Sequence, residues 1–153
     1  MTLAELLTPD LVFPRMDCAS KDELLAKLLR QIYDTGRELP LSQQDMLETV
    51  YMREQIGGTL LPSGLLIPHA RIGGFDDFVF AAATPARPLF HAGQEIHLAA
   101  MMITSQSGGV WYLSALAALT RISRDSEFFL RLCGAENPHD FINILKERDQ
   151  QIS

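Results

Sequence analysis

The sequence predicts an α/β fold, a three-layer α/β/α arrangement in which a central mixed β-sheet is flanked by helices. The chain has 153 residues, 47% of them hydrophobic, which suits one domain over residues 1–153. The apolar pattern gives the element order strand, two helices, three strands and three helices. Because strands and helices do not alternate strictly, a mixed sheet covered by helices is favoured over a doubly wound parallel sheet.

The chain is predicted to open with a short helix and a short strand. Residues 2–7 can form the helix, which Pro9 and its neighbours end. Residues 11–13 are the strand candidate, and Pro14 should stop it.

Two helices follow, and each has its own start signal. Ser20 and Glu23 form a capping box ahead of leucines and isoleucine at helical spacing over 24–32. Ser42 can cap the next helix, which should end near Glu54.

The middle of the chain changes from helical spacing to short apolar runs. Three strands are predicted, at residues 65–67, 78–83 and 95–104. The tracts between them, 71–77 and 85–93, are rich in glycine, proline and charge and are predicted to be loops.

Helical spacing returns after Gly109 and predicts three closing helices. The first carries an apolar stripe from Leu113 to Ile122, and the second covers 126–132. Asn137 and Pro138 supply the N-cap and first position of the last helix.

Composition narrows the classes of partner and compartment. A net charge of −6 does not suggest a nucleic-acid binder. Cys18 and Cys133 form no CxxC pair, which is typical of free thiols in a reducing compartment. The N-terminus lacks a signal-peptide pattern and no apolar run is long enough to span a bilayer, so we expect a cytoplasmic protein without membrane insertion.

The stretch from Arg53 to Arg71 contains the best candidates for residues that take part in a reaction. His69 follows Pro68 at the end of a short apolar strand, with arginines on both sides in sequence. A neutral imidazole is a good nucleophile toward phosphorus, and guanidinium groups stabilise the anionic phosphoryl group. Taken alone, a histidine after a proline is more often a structural residue than a nucleophile.

A pattern spread over several positions favours the interpretation of His69 as a phosphoryl acceptor. It is formed by Arg53, Glu54, Thr59, Gly64, Pro68, His69 and Ala70. The pattern resembles the active-site signature of the fructose/mannitol-type EIIA domains of the bacterial phosphotransferase system, and most closely the nitrogen-regulatory EIIA branch. The likeness extends along most of the chain, because the later leucine- and alanine-rich helix and the closing Asn-Pro-His-Asp-Phe helix resemble those of the family.

The resemblance implies a phosphohistidine at His69. It implies that Arg53 lies near the ring and stabilises the phosphoryl group, and that Thr59, Gly64, Pro68 and Ala70 shape the phosphoryl-binding loop. The implied donor is an HPr-type phosphocarrier protein. The implied acceptor is an EIIB domain, or there is none and the phosphorylation state is itself the signal to a regulatory target. The chemistry requires no metal and no organic cofactor.

One position departs from the family pattern. The family carries a second histidine in a His-Leu pair at the start of the helix after the last central strand, and the matching pair here is Tyr112-Leu113. Tyrosine can donate a hydrogen bond but cannot take up a positive charge as histidine does. The change leaves acceptance at His69 open, and equally leaves open a domain that has lost the phosphoryl relay.

Three functions remain possible from the sequence. A phosphoryl carrier with a regulatory output is favoured, because we expect a free-standing domain without an attached EIIB or membrane segment. A transport component that passes its phosphoryl group to EIIB is the second, and a binding module that is not phosphorylated is the third. A metal-dependent hydrolase is disfavoured, because His91 and His97 have no evident third ligand.

Overall fold

Helices and strands alternate in blocks in the computed structural model, which describes residues 2–107 and 109–148. The helices are α1 (Leu3–Leu6), α2 (Lys21–Asp34), α3 (Gln43–Ile56), α4 (Gly109–Arg124), α5 (Ser126–Cys133) and α6 (Pro138–Lys146). The strands are β1 (Val12–Met16), β2 (Leu65–Leu66), β3 (His69–Ile72), β4 (Val79–Pro85), β5 (Leu89–His91), β6 (Gln94–Ile96) and β7 (Leu98–Ser105).

The central sheet is mixed, as predicted. β4 pairs with β1 in parallel and with β7 in antiparallel orientation. β2 and β3 both pair with β7 in parallel, one after the other along the same strand. β3 therefore lies at the sheet edge, and β5 and β6 form a separate antiparallel hairpin.

The sheet separates two apolar cores. Phe80 and Ala82 of β4 belong to the core that contains α1, α4, α5 and α6. Ala81 and Ala83, which alternate with them, belong to the core that contains α2 and α3. Alternate strand residues point to opposite faces, so one run of small and apolar side chains serves both layers. The predicted three-layer arrangement is confirmed.

The predicted helix caps are present. The hydroxyl groups of Ser20 and Ser42 each accept a hydrogen bond at 3.1 Å from the amide three residues ahead. The Asn137 side chain does the same for Asp140 at 2.8 Å. The capping box at Ser20 is only half formed, because the Glu23 carboxylate pairs with Lys27 at 3.2 Å.

β1 extends beyond its predicted end at Pro14. The strand continues to Met16, with a register shift against β4 between Phe13 and Met16. It is paired on one side only among the described strands, so a proline without an N–H removes no ladder bond. Arg15 has a φ of 56° there, and its amide donates to the Thr84 hydroxyl at 2.9 Å.

The two predicted loops of the middle region are partly wrong. Residues 69–72 form β3 because the long β7 offers pairing positions on both sides of the break at Pro68. Residues 89–91 form β5, which closes a hairpin with β6 through Ala92 and Gly93, both at positive φ. α3 also runs two residues further than predicted, to Ile56.

Within residues 2–107 and 109–148, no helix combines the length and the hydropathy needed to cross a bilayer.

Candidate functional site

Three elements converge on an open cleft at the sheet edge. β3 supplies the edge strand, the end of α3 approaches from one layer and the start of α4 from the other. The cleft has a volume of about 410 Å³ and is lined by Thr49, Met52, Arg53, Ile56, His69, Arg71 and Tyr112. Three residues singled out in the sequence, His69, Arg53 and Tyr112, are thus brought together although they are distant in the chain.

His69 is the first residue of β3 and is only 5% exposed. Its Nε2 lies 2.9 Å from Oγ1 of Thr104, a residue of β7. A hydroxyl can donate to or accept from an imidazole nitrogen, so this contact suits a neutral ring. The edge of the ring is therefore held by a neutral partner.

Tyr112 covers the face of the same imidazole. The two ring centroids are 3.9 Å apart and the planes are inclined by 12°, which is a stacked arrangement. The Arg71 guanidinium lies 5.7 Å from the centroid of the tyrosine ring, within cation–π distance. Tyr112, the residue expected at the position of the family's second histidine, therefore lies directly against His69.

The surroundings keep the His69 ring neutral. Burial is the largest cause, and the positive charges of Arg71 and Arg53 add to it, so that the pKa of His69 falls from 6.5 to about 4. At neutral pH the ring therefore carries a free nitrogen lone pair. Two guanidinium groups near an uncharged imidazole form a site that favours an incoming anion.

The two arginines enter the cleft in different ways. Arg53 belongs to the last turns of α3, and its guanidinium donates to the Gly57 carbonyl at 2.7 Å, so it also caps the helix end. Arg71 follows His69 by two residues on β3, which places both side chains on one face of the strand. Both arginines are exposed, which leaves donors available to a ligand.

A buried ion pair anchors the end of α3. The ammonium group of Lys21 lies 2.7 Å from a Glu54 carboxylate oxygen, and both side chains are less than 10% exposed. The other Glu54 oxygen accepts from the Thr59 hydroxyl at 2.6 Å. Glu54 and Thr59 therefore help to fix the backbone next to Arg53. The sequence pattern did not reveal Lys21 as the ion-pair partner of Glu54.

Gly64, Pro68 and Ala70 are not among the described residues that line the cleft. Gly64 has a φ of 92°, and a Cβ there would come within 2.3 Å of Cδ2 of His97, so only glycine fits without displacement. The Pro68 carbonyl accepts from the Met102 amide at 2.9 Å, and Ala70 is 1% exposed. These residues set the path of the backbone into β3.

The sequence did not reveal several side chains that line the cleft with His69 or contact its ring. Thr49, Met52 and Ile56 share one face of α3 with Arg53, at spacings of three, four and seven residues. That spacing was a usable signal. Thr104 had none, because only the pairing of β3 with β7 brings it to the ring.

The other histidines lie apart from the cleft lining. Nδ1 of His97 is 3.3 Å from a Glu95 carboxylate oxygen, and His91 ends β5. In the described part of the chain, no group of three or more His, Cys, Asp or Glu side chains is placed to hold a metal ion.

Most of the chain matches one known protein family. Residues 5–148 match the family model described as phosphoenolpyruvate-dependent sugar phosphotransferase system, EIIA 2. The chain is 28% identical over 153 residues to the PTS system 2-O-alpha-mannosyl-D-glycerate-specific EIIABC component of Escherichia coli, with 97% of this chain and 23% of that protein covered. The chain is also 24% identical to a nitrogen regulatory protein of Bradyrhizobium diazoefficiens, with 95% of this chain and 95% of that protein covered. The chain therefore corresponds to about a quarter of the first relative and to nearly all of the second.

Solved structures share the fold. The nitrogen regulatory protein IIA-Ntr of Neisseria meningitidis superposes with a TM-score of 0.74 at 20% identity, over 94% of this chain and 98% of that one. The mannitol enzyme IIA of Escherichia coli, solved in complex with phosphorylated enzyme IIB, superposes with a TM-score of 0.70 at 14% identity, over 92% of this chain and 97% of that one. The predicted fold class is confirmed by both.

Proposed function

Since the chain belongs to the EIIA 2 family of the phosphoenolpyruvate-dependent sugar phosphotransferase system, we propose that it is a phosphoryl carrier that is loaded on His69. The observation that carries the proposal is a buried, neutral imidazole at a cleft that also holds two guanidinium groups. We further propose that residues 1–153 act as one EIIA type-2 domain, which the family match over 5–148 supports.

The proposed reaction is an in-line exchange between two histidines. An unprotonated ring nitrogen of His69 attacks the phosphorus of the donor's phosphohistidine. As the new N–P bond forms, the N–P bond of the donor breaks and its imidazole leaves with the electron pair. The donor ring takes up a proton and the other ring nitrogen of His69 gives one up, so that both rings end neutral. No oxidant, metal or organic cofactor enters this balance, and the retained N–P bond keeps the step reversible.

Arg53 and Arg71 supply the positive charge in this scheme. Both line the cleft beside His69, and guanidinium groups bind phosphoryl oxygens through charge-assisted hydrogen bonds. Tyr112 contributes its ring face, stacked on His69, rather than a second charge. Phosphoryl transfer needs little beyond such positioning and electrostatic stabilisation, so the tyrosine is compatible with uptake.

EIIA domains work with phosphocarriers and with EIIB partners, and a phosphorylated enzyme IIB is bound to the mannitol relative. For this chain we propose an HPr-type phosphocarrier in the cytoplasm as the donor and a regulatory output, in which the phosphorylation state of His69 is read by a target protein. The similarity to a nitrogen regulatory protein supports this choice, and the similarity to a sugar-specific EIIABC component supports sugar transport as the alternative.

A binding module that is not phosphorylated is the second candidate. The observation in its favour is the stacking of Tyr112 on His69, which covers one face of the imidazole. This candidate predicts partner binding that does not depend on His69 chemistry.

The decisive experiment is phosphoryl uptake. The purified protein is incubated with EI, HPr and labelled phosphoenolpyruvate, with His69→Ala as the control and a second EIIA protein as a check on the donor. Acid-labile label on the wild type alone supports the carrier. An unlabelled wild type beside a labelled reference EIIA overturns it and supports the binding module.

A chase separates the two carrier roles. Labelled protein is mixed with an EIIB domain of the fructose/mannitol type, and retention of the label on His69 is expected for a regulator. Rapid loss of the label to EIIB supports transport instead.

A further inference from the structure

Thr104 is a polar residue in a buried, otherwise apolar stretch of strand. It is 1% exposed, and the six residues of β7 that precede it, residues 98–103, are all apolar and buried. A hydroxyl in such a place costs free energy unless it is hydrogen-bonded. Its two contacts are the His69 Nε2 at 2.9 Å and the Ser105 carbonyl at 3.1 Å.

The sheet fixes where this hydroxyl lies. Thr104 pairs with Arg71, while His69 pairs with Met102 two residues earlier on β7. Thr104 and His69 are therefore diagonal neighbours on one face of the sheet. A β-branched side chain has few rotamers, so its oxygen has a defined position relative to the ring.

The imidazole is thus held from two directions by uncharged groups. Tyr112 stacks on its face at 3.9 Å and Thr104 contacts its edge at 2.9 Å. Stacking alone would allow both ring orientations that are related by a half-turn about the Cβ–Cγ bond, whereas a hydrogen bond to Nε2 selects one of them.

We propose that Thr104 is a positioning residue for phosphoryl uptake: its hydroxyl holds Nε2 of His69, so that the ring stays on Tyr112 in the orientation that reacts. The proposal rests on the carrier function proposed for His69. It adds that two neutral side chains, from β7 and α4, orient the nucleophile where the family pattern uses a second histidine.

Uptake kinetics of matched variants test the proposal. Thr104→Val removes the hydroxyl and keeps the shape and the β-branch, while Thr104→Ser keeps the hydroxyl. One neutral hydrogen bond corresponds to a rate change of about tenfold. We expect Thr104→Val to lower the single-turnover rate at saturating phospho-HPr about tenfold with an unchanged half-saturating donor concentration, and Thr104→Ser to stay within about twofold of the wild type.

A spectroscopic readout keeps the proposal independent of uptake. In protein labelled with ¹⁵N histidine, the Nε2 shift of His69 should move in Thr104→Val and remain in Thr104→Ser. If the valine variant is poorly folded by circular dichroism, Thr104→Ala serves in its place, because it removes the hydroxyl and adds no new contact.

The outcomes separate this proposal from the carrier function. An unlabelled wild type overturns the carrier function, while the Nε2 shift still reports on the hydrogen bond. A labelled wild type with equal rates in the valine and serine variants, or an unchanged Nε2 shift in the valine variant, overturns the role of Thr104.

Discussion

At the scale of single residues, the site depends on an imidazole that stays uncharged. Burial and the neighbouring Arg71 and Arg53 depress the pKa of His69 to about 4. A histidine at its usual pKa would be partly protonated near pH 6.5, and a protonated ring has no free nitrogen lone pair with which to attack phosphorus. In the proposed carrier the arginines therefore have two effects, since they favour an anionic phosphoryl group and help to keep the imidazole neutral.

Removing either charge should raise the pKa of His69. We expect the ring resonances of His69 to titrate well below pH 5.5 in the wild type, and at higher pH in Arg71→Gln and Arg53→Gln. Arg87→Gln is the matched control, because Arg87 is an exposed arginine paired with Asp17 at 2.7 Å, away from the cleft lining. A wild-type midpoint near 6.5 would contradict this account.

The same depressed pKa predicts how stability depends on acid. The unfolded chain binds a proton at His69 near pH 6.5 and the folded chain only near pH 4, so protonation favours unfolding between these values. Stability from this group is present above pH 6.5 and is lost as the pH falls to 4, by up to about 3 kcal/mol.

Urea unfolding at both pH values measures that loss. His69→Gln cannot titrate and should lose less stability than the wild type between pH 6.5 and pH 4. Equal losses in the two proteins would refute the shifted pKa.

At the scale of secondary structure elements, a buried ion pair helps to hold the end of α3. Glu54 pairs with the buried Lys21 at the start of α2 and accepts from Thr59 in the following loop. One carboxylate thus joins two helices and the loop next to Arg53. Breaking a buried pair leaves an uncompensated charge, which is more costly than losing an exposed pair.

Neutralising Glu54 should therefore destabilise the fold strongly. We expect Glu54→Gln to lower the free energy of unfolding by about 3–5 kcal/mol. Glu136→Gln, which breaks the exposed pair with Arg15, should cost less than about 1 kcal/mol. Chemical denaturation of both variants gives the comparison, and similar losses would show that Lys21 and Glu54 are not a critical pair.

Local signals predicted the elements with their own caps, and tertiary pairing decided the rest. Ser42 and Asn137 begin helices because their side chains bond amides three residues ahead, which the sequence displays directly. β3 has four residues after a proline and exists because β7 pairs with it, a contact with a residue more than thirty positions away. Because Thr104 also reaches His69 only through this strand pairing, the sequence did not reveal it. The family pattern did reveal His69, Arg53 and Tyr112.

At the scale of the whole molecule, the site lies where the two helical layers meet at the sheet edge. The chain has a net charge of −6, whereas two arginines face the cleft. Around them stand apolar side chains that are open to solvent: Met52 is 64% exposed and Ile56 is 83% exposed. Because His69 is only 5% exposed, the proposed donor can reach it only by seating closely on this rim of Met52 and Ile56.

The rim should consequently control how well the donor binds rather than how fast the bond exchanges. Burying an aliphatic side chain of this size contributes about 1.5–3 kcal/mol, and a charge there would have to be desolvated. We expect Ile56→Glu to raise the half-saturating phospho-HPr concentration at least tenfold, with little change in the rate at saturation. Leu130→Glu is the control, since Leu130 is 52% exposed on α5 and lies outside the cleft lining. If the two variants bind the donor equally, the donor must approach His69 by a path that does not cross the end of α3.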